Sequence, residues 1–109
     1  MQSKAILRYA RLTPRKARRV IDLVRGRNAG EALLALRFMP YRGAKFVEKV
    51  LRSAIANAEQ KNADAEKMRI ESAFVDEGPI MKRMEPRSMG RANMIKKRMS
   101  HITILLSDE

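Results

Sequence analysis

His101 is the one histidine in this 109-residue chain, and no cysteine accompanies it. The chain therefore has no thiolate nucleophile, no thiolate metal ligand and no disulfide, and no cluster with metal-ligand spacing occurs. The acids Glu59, Asp64, Glu66, Glu71, Asp76 and Glu77 are spread as on a solvated helix end and strand, and no glycine-rich phosphate loop occurs. The side chains with chemistry to do are the cations. Lys and Arg number 24 against 12 Asp and Glu, a net charge of +12, and the chemistry open to them is the neutralisation of a polyanion.

The charge is placed unevenly. Residues 1–28 carry nine basic residues and one acid, residues 29–77 carry eight of each, residues 78–99 carry seven basic residues and one acid, and the last ten residues carry two acids. Two basic blocks thus flank a neutral middle. In the first block Arg8 and Arg11 precede "TPRKARRVIDLVRG", which holds Arg15, Lys16, Arg18, Arg19 and Arg25 with Asp22 as the only acid. Guanidinium groups gathered on one helix face can fork onto phosphates, and the amides of the helix N-terminus after Thr13 add an anion site. The second block, "GPIMKRMEPRSMGRANMIKKRMSH", interleaves Lys82, Arg83, Arg87, Arg91, Lys96, Lys97 and Arg98 with five methionines. Apolar residues recur through it, unlike a disordered basic tail. Met side chains can fill irregular gaps against bases and sugars.

The elements that must position these cations follow from spacing. "SKAILRYARL" reads as a strand in which Ala5, Leu7 and Tyr9 alternate with Lys4, Ile6 and Arg8. Thr13 as cap, Pro14 at the first helical position and Gly26 as stop bracket a helix over about 14–25, buried through Ala17, Val20, Ile21 and Val24. A second helix starts at Asn28, with Glu31 at capping-box spacing, and ends before Pro40. A third, over about 42–61, carries the stripe Val47, Val50, Leu51, Ala54, Ile55 and Ala58. "MRIESAFVDE" and "SHITILLSD" read as strands, the latter with Ile102, Ile104 and Leu106 on one face. The expected architecture is a two-layer α+β domain, strand–three helices–two strands, spanning 1–109 as one domain.

The second basic block joins the last two strands and is most simply a long hairpin over 78–99, with turn signals at Pro86 and Gly90. Each side would reach about 33 Å at strand rise, against a radius of gyration of about 13 Å for a compact domain of this size. Such an arm would project, and phosphates would relieve its self-repulsion. His101, at its base, is expected to pack or to make one hydrogen bond to nucleic acid.

Three function classes differ in what they require. A structural RNA-binding protein needs only the two basic surfaces. An architectural DNA-binding protein would insert an apolar wedge such as Pro86 or Met89 and needs a pair of arms, hence a dimer. A nucleic-acid enzyme needs catalytic groups that this chain lacks. No apolar run approaches the ~18 residues of a membrane span, and no signal peptide is recognised at the N-terminus, where "AIL" is the longest early apolar run. Neither a cofactor, a metal nor a small-molecule substrate is expected.

Three blocks, "RYARLTPRKARRVIDLVRG", "VLRSAIANAE" and "DEGPIMKRMEPRSMGRANMIKKRMSHITI", resemble in order and over essentially the whole chain the large-subunit ribosomal protein L-twenty-two family of bacteria and organelles. The resemblance implies a ribonucleoprotein role in translation, with the body on the ribosome surface and the hairpin threading large-subunit ribosomal RNA. By position it assigns RNA contact to Arg8, Arg11, Arg15, Lys16 and Arg18, and to Lys82, Arg83, Arg87, Arg91, Lys96, Lys97, Arg98 and His101. It also implies a hairpin tip (Arg83, Met84, Arg87, Met89, Gly90 and Arg91) lining the nascent-peptide exit tunnel, near neighbouring large-subunit proteins including L-four, with the nascent peptide passing by. The location implied is the ribosome, cytoplasmic or organellar. Glu85 and Met99 depart from the family pattern.

Overall fold

The computed structural model describes residues 2–62, 64, 67–86 and 92–108, with the backbone alone described for 81–86 and 92–97. Strand β1 (Gln2–Ala10) leads into helices α1 (Pro14–Val24), α2 (Ala29–Phe38) and α3 (Arg42–Gln60), followed by strands β2 (Arg69–Pro86) and β3 (Ala92–Ser107). The sheet is antiparallel in the order β1-β3-β2. This is the α+β architecture expected from the sequence.

Three cross-strand rows face the helices. Ser3, Leu106 and Ile70 form one, Ala5, Ile104 and Ala73 the next, and Leu7, Ile102 and Val75 the third. All are buried except Leu7, which is partly buried. Against them lie the stripes of α1 (Ala17, Val20, Ile21, Val24) and α3 (Val47, Val50, Leu51, Ala54, Ala58), each buried; Ile55, expected in the α3 stripe, is only partly buried. The polar exception within the rows is satisfied, because the Ser3 hydroxyl donates to Ala54 O at 2.7 Å. Asn57 Nδ2 donates to Lys4 O and Lys61 Nζ to Gln2 O, fastening α3 along β1.

Strict alternation fails in two strands for one physical reason, an extra residue. Between Leu7 and Ala10 of β1 the register shifts, so Ala10 turns inward and Tyr9 outward. Between Ile70 and Ser72 of β2 a second shift lets Ile70, Ala73 and Val75 share the buried face. Such bulges re-aim side chains and add twist. A third shift, between Glu77 and Ile80, is where the β2–β3 ladder leaves the body. There the Cβ of any residue replacing Gly78 would lie 3.2 Å from the Met99 backbone, so the close strand approach favours glycine.

The caps differ in detail from expectation. Asn28 Oδ1 accepts from Gly30 N–H at 2.9 Å, capping α2. Thr13 makes no side-chain cap on α1; its backbone oxygen accepts from Lys16 and Ala17 N–H. Helix α1 stops at Gly26, whose φ of +82° an L side chain resists. The following turn is stitched to β2 through Gly26 N–H to Ile70 O and Ile70 N–H to Arg27 O.

From Ile80–Arg98 to Pro86–Ala92 the two long strands pair in continuous register. Eighteen residues of β2 span about 59 Å at strand rise, and the molecule measures 61 × 24 × 17 Å with a radius of gyration of 16.8 Å. The expected projecting hairpin is present as this ladder.

Candidate nucleic-acid interface

Helix α1 turns its apolar stripe to the sheet, which leaves Arg15, Lys16, Arg18, Arg19 and Arg25 exposed. Their surroundings separate them. The side chains of Arg15 and Lys16 make no hydrogen bond or ion pair among the described residues, so both heads are available to an anion. Arg18 Nη2 donates to Val75 O at 3.0 Å, and the Arg19 guanidinium lies 4.0 Å from the Tyr41 ring centroid. Arg25 is the most committed: its Nε and Nη2 donate to Ala73 O at 3.2 and 2.8 Å, and its Nη1 to Asp22 Oδ1 at 2.8 Å. It clamps α1 to β2. The expected amide site at the start of α1 is also reduced, since Pro14 has no N–H and those of Lys16 and Ala17 bond to Thr13 O.

Arg8 and Arg11 flank the bulged end of β1, both exposed. The bulge is held by His101, whose Nδ1 accepts the Tyr9 N–H at 3.0 Å and whose ring meets the Tyr9 ring edge to face at 5.0 Å. With Nδ1 as acceptor, the neutral ring carries its proton on Nε2, so any nucleic-acid hydrogen bond donated by His101 must come from that atom. Beside it the Ser100 hydroxyl, fully buried, donates to Leu12 O at 2.6 Å.

At the arm's root a depression of about 210 Å³ is bordered by Pro14, Glu77, Gly78, Ile80, Arg98 and Met99. The start of α1 and the start of the ladder therefore adjoin, bringing together basic blocks far apart in the chain. Along the ladder Lys82 stands opposite Lys96, Met81 opposite Lys97, Arg83 opposite Ile95 and Met84 opposite Met94, while Glu85 faces Asn93. Arg87, Met89, Gly90 and Arg91 lie outside the described residues.

One cluster escaped the charge count. Arg42, Lys45 and Lys49 line one side of an open groove against Leu7, Tyr9, Ala10 and Arg11, with Phe46 between them. The block 29–77 sums to zero, which concealed them. Their spacing of three and four residues on a helix would have put them on one face. No group of three or more His, Cys, Asp or Glu residues able to hold a metal occurs among the described residues, and no described helix is long and apolar enough to cross a membrane.

The model of the family described as ribosomal protein L22p/L17e matches residues 5–107. Two similar relatives, each named large ribosomal subunit protein uL22, come from Geobacter metallireducens, 52% identical over 110 residues and all of both chains, and Geobacter sulfurreducens, 53% identical over all of this chain and 99% of its own. A third of that name, from Desulforamulus reducens, is 52% identical over all of this chain and 97% of its own. With a match across nearly its whole length and relatives this similar end to end, the chain belongs to the ribosomal protein L22p/L17e family.

Proposed function

We propose that the chain is a structural, non-enzymatic constituent of the large ribosomal subunit that binds ribosomal RNA through two adjoining surfaces. The body contributes Arg8, Arg11 and the outer face of α1; the β2–β3 ladder contributes Lys82, Arg83, Lys96, Lys97 and Arg98, with Arg87 and Arg91 beyond it. The observation that carries the reading is the arm itself. It is a paired ladder rich in Lys and Arg that leaves the body at Gly78, and its length accounts for the 61 Å long axis. A two-stranded ribbon is marginal alone in water, whereas phosphates on both sides would neutralise it. Bridging RNA segments that repel one another is the work such a shape can do.

The finer part of the proposal concerns the far end. The tip, Arg83 and Met84 with Arg87, Met89, Gly90 and Arg91, lines the nascent-peptide exit tunnel near L-four, and the growing peptide passes it without being held. The place of work is the ribosome, in the cytoplasm as for a bacterial large subunit.

The test is sedimentation of a cell extract. The chain is expected to travel with large subunits, and a version with 82–93 replaced by a short glycine-containing turn is expected to travel with them less tightly. A chain that remains with the free soluble proteins contradicts the proposal.

A further inference from the structure

We infer that the groove between the end of β1 and the first half of α3 is a stacking site for unpaired nucleotides of RNA, an inference that rests on the RNA-binding reading above. The groove has a volume of about 450 Å³, within the ~300–1,000 Å³ of clefts that take small ligands. Two of the chain's five aromatic residues, Tyr9 and Phe46, border it together with Leu7. Tyr9 is 60% exposed, so its ring is not there to fill the core.

Its backbone adds an independent observation. Tyr9 sits at φ 58°, a left-handed conformation that a bulky side chain enters only at a cost in free energy, and such outliers concentrate at functional sites. The bulge between Leu7 and Ala10 and the acceptor His101 Nδ1 together maintain that conformation. The consequence of this local strain is a Tyr9 ring left exposed beside His101 at the end of β1 instead of packed inside.

The electrostatics specify the occupant. Arg11, Arg42, Lys45 and Lys49 border the groove, and no acid does. The nearest acid on this stretch of α3, Glu48, is paired with Arg52 at 2.8 Å. The Arg42 guanidinium lies over the Phe46 ring, 6.0 Å from its centroid. Cations beside the exposed Tyr9 ring and the partly buried Phe46 match a phosphate backbone carrying bases free to stack. Stacked bases of an intact duplex cannot reach such rings, which directs the site to loops, bulges or ends. An acidic peptide would use the cations but not the rings.

The experiment measures binding of a fluorescent uridine decamer to the full chain, alongside binding of intact large-subunit RNA. Tyr9→Asn removes the ring while retaining a residue tolerant of the left-handed backbone; Phe46→Leu keeps apolar bulk. Each is expected to weaken decamer binding by about tenfold, the loss of one base–ring stack. The exposed pair Lys45→Gln/Lys49→Gln, which leaves the core untouched, is expected to make the salt dependence shallower by about 1.4 log units per decade, two single-strand phosphates. Decamer binding that is unchanged in all three variants overturns the inference, as does displacement by a glutamate decapeptide as readily as by unlabelled RNA. Salt-dependent binding of large-subunit RNA alongside that indifference would leave the broader reading standing and remove only the groove. A groove-dependent decamer without any large-subunit RNA binding would do the reverse.

Discussion

His101 Nδ1 accepts the backbone N–H of Tyr9 at 3.0 Å while the two rings meet at 89°. A residue at the root of the arm thereby fixes the bulged end of β1, and with it the direction of Tyr9, Arg8 and Arg11. Replacing His101 with Ala deprives that amide of its acceptor and the ring of its neighbour. A loss of about 1 kcal/mol is expected for one such bond, which lowers Tm by about 4–8 °C in a domain of this size. Calorimetry checks the shift, and amide exchange at Tyr9 should accelerate more than at Ala5.

The cations of α1 should divide by their partners. Arg25→Ala loses the clamp on Ala73 O and the Asp22 pair, and a destabilisation of about 1 kcal/mol is expected once its half-exposed setting is allowed for. Arg15→Glu with Lys16→Glu removes no described contact and should leave Tm within about 2 °C, yet weaken RNA binding strongly. Parallel melts and RNA titrations separate the two outcomes. Equal destabilisation by both changes would mean that the free-standing cations are structural.

Gly78 is the position at which the ladder departs from the body. Gly78→Ala places a Cβ 3.2 Å from Met99 C, O and Cβ. Backbone atoms cannot swing aside as a side-chain end can, so a cost of about 1–3 kcal/mol is expected. Thermal melting measures it. An unchanged Tm would show that the strands separate there without penalty.

Much of this was legible because helical stripes survive local irregularity. Ala17, Val20, Ile21 and Val24 read as buried and are, as do Ile102, Ile104 and Leu106. Strands are less forgiving, since one extra residue exchanges the faces. Tyr9, aligned by alternation with Ala5 and Leu7, lies on the opposite side because of the bulge before Ala10. Nothing in "LRYARL" marks that bulge, which is stabilised by His101 from a distant strand. Intramolecular uses of cations were equally hidden: the carbonyls that hold Arg18 and Arg25 belong to Val75 and Ala73, residues whose proximity only the fold supplies. Charge counting by block concealed Arg42, Lys45 and Lys49, since acids elsewhere in the same block cancelled them.

The arm should be separable from the stability of the body. The buried core comprises residues between Ala5 and Val75 and between Ile102 and Leu106. Substituting a short glycine-containing turn for 82–93 is therefore expected to leave Tm within about 4 °C. A collapsed melt would show that the arm contributes to the core. In ribosomes carrying the shortened chain, the proposed tunnel-lining role of the tip predicts a widened wall there, and a structure of those particles reads this directly.

The association constant of the full chain with large-subunit RNA, measured as salt is raised, tests the central claim most directly. The cations of α1, the β1 end and the arm, engaging about eight phosphates together, predict a log–log slope of about −6 to −7. The shortened arm should make that slope shallower by about 3, the share of Lys82, Arg83, Arg87 and Arg91. A nearly flat response, or one indifferent to the arm, would contradict the account.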